Sequence, residues 1–111
     1  MTYKININIA KQIMTLADLN EQLQHSDKPL IASIMKSDNT KLMAIGINSG
    51  VTLKQHTAPG RTKLIVIQGQ IKYMTDKEIL IIDQYQTHDI PLEEVHSVNA
   101  DTPSIFLLLV A

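Results

Sequence analysis

The chain predicts an all-β fold, a sandwich or barrel preceded by one short N-terminal helix. From Pro29 onward, short apolar runs are divided at regular intervals by turn residues, which favours sheets packed or closed on themselves over alternating helices and strands. Only the segment from Thr15 to Gln24 has the apolar spacing of a helix, so the fold is left to the strands. At 111 residues the chain is large enough to bury one core and too small for two.

At the N-terminus, Tyr3, Ile5, Ile7 and Ile9 alternate with Lys4, Asn6, Asn8 and Ala10, the period-two mark of a strand with one buried face. A strand at a chain end frays unless it docks on something. In the helix, Thr15 is the cap, Asp18 supplies the acidic side chain three residues later, and Leu16, Leu19 and Leu23 share a face. Lys28-Pro29 closes that segment. Residues 1–28 thus form an N-terminal strand and helix ahead of a barrel over 29–111, the whole being one domain.

Leu30 to Lys36 and Leu42 to Ile47 read as strands, followed by the turns Ser37-Asp38-Asn39-Thr40 and Asn48-Ser49-Gly50. Leu64 to Ile67, Ile71 to Met74, Glu78 to Ile82, Gln86 to Ile90 and Ser104 to Val110 continue the pattern. Ala58-Pro59-Gly60 fits a turn in which proline fixes φ and glycine accepts a positive dihedral, and Gly69 fits a tight connection. Leu64 to Ile67 and Ile105 to Val110 are apolar on both faces. A barrel strand shows one face to water unless something covers it, so the N-terminal strand, the helix or a second subunit must do so. An uncovered apolar face marks an interface, which predicts a homodimer.

Ile, Leu, Val and Met must fill the core, because 44% of the chain is hydrophobic but only 4% aromatic. Ten basic and eleven acidic residues give a net charge of -1, which gives no electrostatic reason to expect nucleic acid. Without cysteine there is no disulfide framework, thiolate nucleophile or Cys-based zinc site. The N-terminus lacks the apolar core of a signal peptide, and the run Ile105 to Ala111 is too short to span a bilayer. The expectation is a cytoplasmic protein with no membrane partner.

Two histidine-bearing frames stand out. The first runs from Gly50 through His56 and Ala58-Pro59-Gly60 to Thr62 and Gly69, and the second from Tyr85 through Pro91 and Glu93 to His96 and Ala100. These frames resemble the two motifs of the cupins, G-x5-H-x-H-x3-E-x6-G and G-x5-P-x-G-x2-H-x3-N. Gly50, His56 and Gly69 match the first, with Ala58 in place of its second histidine and Thr62 in place of its glutamate. Pro91 and His96 match the second, with Tyr85 and Glu93 at its glycine positions and Ala100 in place of its asparagine. The likeness covers roughly Pro29 to Ala111 and is closest to short single-domain cupins of the conserved-barrel (cupin 2) type, whose His-x-Ala-Pro-Gly turn is present here and whose last strands resemble His96 to Ala100 and Ile105 to Val110. It implies a double-stranded β-helix, or jelly roll.

In the full cupin site, three histidines and a carboxylate hold a divalent transition metal, with positions left open for substrate or oxygen. Here the resemblance carries only His56 and His96 over as ligands, an incomplete set that implies weak binding. His88 is a further metal-ligand candidate if its strand register turns it inward. Gln55, Glu93 and Glu94 are the other polar groups nearby in sequence, Glu93 in a turn that should face solvent. Alternation after His56 puts Ala58, Thr62, Leu64 and Val66 on one interior side, so Thr62, Leu64 and Val66 are expected to line a pocket with the two imidazoles.

The bland reading is that each histidine merely bonds a neighbouring carbonyl at a strand end. Their joint spacing favours a shared hollow. Two functions follow: a small-molecule-binding barrel of unassigned activity and unidentified ligand, or a metal-dependent enzyme of oxygenase or isomerase type. An interaction module ranks below both, and no catalytic residue is identified.

Overall fold

The computed structural model describes residues 15–111. The expected strand over Tyr3 to Ala10 lies outside them. The helix, α1 (Leu16–Leu23), begins as the sequence indicates: Thr15 accepts from the Asp18 backbone N–H at 3.1 Å, and the Asp18 carboxylate accepts from the Thr15 N–H at 3.2 Å. This reciprocal capping satisfies two donors that the first helical turn cannot.

Nine strands follow among the described residues: β1 (Leu30–Lys36), β2 (Lys41–Ile47), β3 (Thr52–His56), β4 (Thr62–Gln68), β5 (Gln70–Met74), β6 (Ile79–Asp83), β7 (Thr87–Ile90), β8 (His96–Ala100) and β9 (Ser104–Val110). They form two antiparallel sheets, β1-β2-β9-β4-β7 and β3-β8-β5-β6. The non-sequential order, with β9 between β2 and β4 and β8 between β3 and β5, is that of a double-stranded β-helix rather than a meander.

The core lies between the sheets. Ile45, Leu64, Val66 and Phe106 from the larger sheet meet Ile71, Tyr73 and Val98 from the smaller, all buried. Period-two alternation explains the assignment: Thr62, Leu64 and Val66 are buried while Lys63 between them is exposed. Area removed from water at this interface is the main stabilising term.

Among the described residues, the helix covers part of the outer face of these two-faced apolar strands. Leu19 and Leu23 pack with Ala32, Ala44 and Ile105 on the outside of the larger sheet, against partly buried Leu30, Ile67 and Leu107. Gly46 allows this close approach, since a Cβ there would stand 3.2 Å from Leu19 Cδ1 and 3.3 Å from Leu23 Cδ1. Beyond the helix, apolar side chains remain exposed on β1, the edge of the larger sheet among the described residues, and they include Ile31, Ile34 and Met35.

Gly60 departs from expectation. Positive φ among the glycines belongs to Gly50 and Gly69, at 79° and 78°, and not to Gly60. Space is what limits this position, because a Cβ on Gly60 would lie 3.1 Å from the Ala111 carbonyl oxygen, beside the bond from the Ala111 N–H to the Arg61 carbonyl.

Candidate functional site

The ladder between β3 and β8 makes His56 and His96 direct cross-strand partners. Leu53, opposite Val98, faces the core, so strict alternation would turn His56 outward. A bulge between Leu53 and His56 adds one residue to β3 and brings His56 back to the face that His96 shares. The two rings lie 4.3 Å apart, centroid to centroid, with planes at 60°.

Both imidazoles are fixed in the same way. His56 Nδ1 lies 2.7 Å from the Lys54 carbonyl oxygen, and His96 Nδ1 lies 3.0 Å from that of Glu94. A carbonyl oxygen only accepts, so each Nδ1 carries the proton and donates, and in the neutral form of the ring the lone pair is left on Nε2. His96 is buried and His56 half-buried. Burial holds the His96 imidazole below the ordinary histidine value; the nearby His56 and His88 rings push the same way, against the bond to the Glu94 carbonyl and the Glu94 charge.

Behind His96 stands Tyr73 on β5, buried and stacked on it with centroids 4.9 Å apart and planes at 20°. The Tyr73 hydroxyl donates to Glu94 Oε1 at 2.7 Å. Burial, then this bond and the Glu94 charge, lift the phenol well above the ordinary tyrosine range, so it remains a neutral donor. Glu94 reaches inward from a turn closed by its own N–H on the Pro91 carbonyl, in which Glu93 takes a positive φ of 66°. Glu94 therefore holds His96 through its backbone and Tyr73 through its carboxylate.

His88 pairs with Leu64 across β4 and β7, and partners directly opposite share a face, so His88 points into the barrel. Its ring meets Tyr73 at 4.5 Å, and its Nε2 is buried without a hydrogen-bond partner. Tyr73 thus touches both His88 and His96. Among the described residues, no three His, Cys, Asp or Glu side chains come together to hold a metal. Gln55 and Glu93 are exposed. Thr62 uses its hydroxyl proton on the Gly60 carbonyl, at 2.9 Å.

A cavity of about 190 Å³ opens beside the histidine pair. Met43, Ile45, Leu53, Ile90, Leu108 and Val110 supply its apolar walls, while Thr62 and the two histidines are the lining residues whose side chains carry nitrogen or oxygen. Ile31, Ala58 and Pro59 complete the lining. Thr62 is among the residues that line this cavity. Leu64 and Val66 share its face but are buried in the core beyond the cavity lining.

Sequence reasoning did not single out Tyr73. The available signal was its place two residues after Ile71 on a core-facing alternation, where a buried phenol demands an acceptor. Glu94 is then the carboxylate within reach.

The divalent metal that cupin sites hold can be tested against these donors. Two imidazole nitrogens and one neutral hydroxyl oxygen, with Ala58 contributing only a methyl, fall short of the three or four strong donors that fix a resident zinc-type ion. The described residues do not fit a tightly bound metal.

No family model and no curated protein matches the chain. Solved structures do. A conserved protein with a double-stranded β-helix domain from Klebsiella pneumoniae superposes with a TM-score of 0.71 at 13% identity, covering 100% of this chain and 90% of that one. A cupin superfamily protein from Desulfitobacterium hafniense gives 0.69 at 15% identity, over 74% of this chain and 75% of that one. A cupin 2 conserved barrel domain protein from Leptotrichia buccalis gives 0.69 at 23% identity, over 75% of this chain and 40% of that one. The fold is therefore a double-stranded β-helix barrel. It is the cupin barrel, as the histidine frames led us to expect. No helix among the described residues is long and apolar enough to cross a membrane.

Proposed function

We propose that this cupin barrel binds a small molecule in the cavity beside His56 and His96, and that any divalent metal at this pair is weakly held. The observation that carries the reading is the joining of two fixed imidazoles to an otherwise apolar hollow of about 190 Å³. Engineered apolar cavities of about 150 Å³ hold benzene, so this volume suits a single substituted ring. The ring pair gives such a ligand a polar anchor, and the aliphatic walls supply the binding area.

Titrating toluene and p-cresol into methyl-labelled protein tests the reading. Methyl resonances of Met43, Ile45 and Leu108 should shift saturably with at least one of the two. Absence of any shift at millimolar ligand would overturn it. Elemental analysis of untagged protein addresses the metal: a stoichiometric ion that is lost in a His56→Ala, His96→Ala variant would favour a metal-dependent enzyme instead.

The reading extends to a homodimer formed through β1. Among the described residues this strand is an edge of the larger sheet, and it leaves Ile31, Ile34 and Met35 exposed. Antiparallel pairing of an edge with its own copy is the arrangement a twofold axis provides. Light scattering should return twice the chain mass at micromolar concentration, and a monomer there would refute the dimer.

A further inference from the structure

The donors and acceptors around the cavity narrow the ligand, on the reading that the cavity is a binding site. The Nδ1–H of each histidine is committed to a backbone carbonyl, leaving Nε2 as an acceptor. The Thr62 hydroxyl proton is committed to the Gly60 carbonyl, leaving lone pairs on its oxygen. The remaining lining side chains are aliphatic, Met43 and Pro59 included. The lining side chains that carry polar atoms therefore have only acceptors left to offer, and none carries a positive charge while the imidazoles are neutral.

A carboxylate or phosphate would lose its water and meet only lone pairs, which is unfavourable for a buried anion. A pure hydrocarbon would fill the space but leave the acceptors without partners. We propose that the cavity selects small neutral molecules with an apolar body and one hydroxyl group, of the size of a simple phenol, whose hydroxyl donates to a histidine Nε2. The two rings lie with centroids 4.3 Å apart on neighbouring strands, and both histidines line the cavity. Arg61 does not line this cavity; it belongs to an open surface groove with Lys63 and Asp89, so it offers no counter-charge to an anion inside.

The test compares three ligands of one shape, p-cresol, toluene and p-toluate, by calorimetry and methyl shifts at about pH 8, where histidine is neutral. We expect p-cresol to bind roughly tenfold more tightly than toluene, the worth of one well-placed hydrogen bond, and p-toluate to be rejected. In a His56→Leu variant and in a His96→Leu variant, tested separately, the preference should shrink in at least one. His56 is half-buried, so its replacement keeps the experiment open should the buried His96 variant fail to fold. Equal affinity for p-cresol and toluene, or tightest binding of p-toluate, would overturn the hydroxyl preference while leaving the cavity as a binding site. A preference that persists undiminished in both variants would likewise remove the histidines from the proposal. If none of the three binds, the binding-site reading itself falls.

Discussion

The frame around His56 has glycine at its two left-handed positions, Gly50 and Gly69, with φ of 79° and 78°. The frame around His96 has Tyr85 and Glu93 at the positions where the cupin motif carries glycine, and both still adopt positive φ, 69° and 66°. One turn is shaped by its residues, the other by its surroundings. At Tyr85, the N–H donates to the Val66 carbonyl at 2.6 Å, and its neighbour Gln86 exchanges a further bond with Val66, so the β4 ladder holds the left-handed residue in place. At Glu93 the hold comes from the next residue, because Glu94 must reach inward to serve Tyr73 and His96. Backbone geometry can outlast the residue that would favour it when tertiary bonds over-determine the turn.

This difference in support predicts a difference in energetic weight between two histidines that face each other. His96, at 2% exposure and stacked on Tyr73, should cost about 3 kcal/mol when changed to alanine, as expected for a large buried side chain. His56, half-buried and bonded only to a carbonyl on its own strand, should cost under about 1 kcal/mol. Chemical denaturation measures both. Equal losses would mean that the two turns are held alike and would break the comparison.

The same asymmetry should show in pH dependence. His96 has a folded-state value below its unfolded value near 6.5, so between the two the unfolded chain binds the extra proton. Its contribution is fully present above the unfolded value and is lost as pH falls through that window toward the folded value. Stability measured from about pH 7.5 downward should decline first in this range, and a His96→Phe variant should flatten that limb. A wild-type curve unchanged by the substitution would show that other groups set the slope.

How much of this was legible in the chain depends on which physical signal each part carries. Helix α1 was readable from Thr15, Asp18 and the leucine spacing, and Leu30 to Lys36 and Ser104 to Val110 were readable from bounded apolar runs. The approach of His56 to His96 was readable only through the resemblance, since strict alternation from Leu53 sends His56 outward and no residue type announces the bulge that reverses it. His88 shows the same limit: its inward face follows from pairing with Leu64, a register that nothing local to Gln86 to Ile90 specifies. Tyr73 and Glu94 lie on different strands and turns, and their bond exists only once β5 and β8 are neighbours.

The smallest expected effects are the sharpest test of the two turns. If context alone holds Tyr85 and Glu93 in the left-handed region, Tyr85→Gly and Glu93→Gly should each stabilise the protein by about 0.5–1 kcal/mol, relieving the Cβ clash against glycine's greater chain entropy. Gly50→Ala is the matching control in the first frame. A Cβ there meets nothing within 4 Å, so the substitution isolates the dihedral penalty and should destabilise by about 1 kcal/mol. Opposite signs in the two frames would establish that the turns share a backbone shape reached by different means. Should Glu93→Gly destabilise instead, with Gly50→Ala behaving as expected, the Glu93 side chain or the stiffness it gives the turn must help to aim Glu94 at Tyr73. Glu93→Ala then separates these two: alanine keeps the stiffness without the carboxylate, so a loss with alanine assigns the effect to the side chain and full recovery assigns it to the backbone.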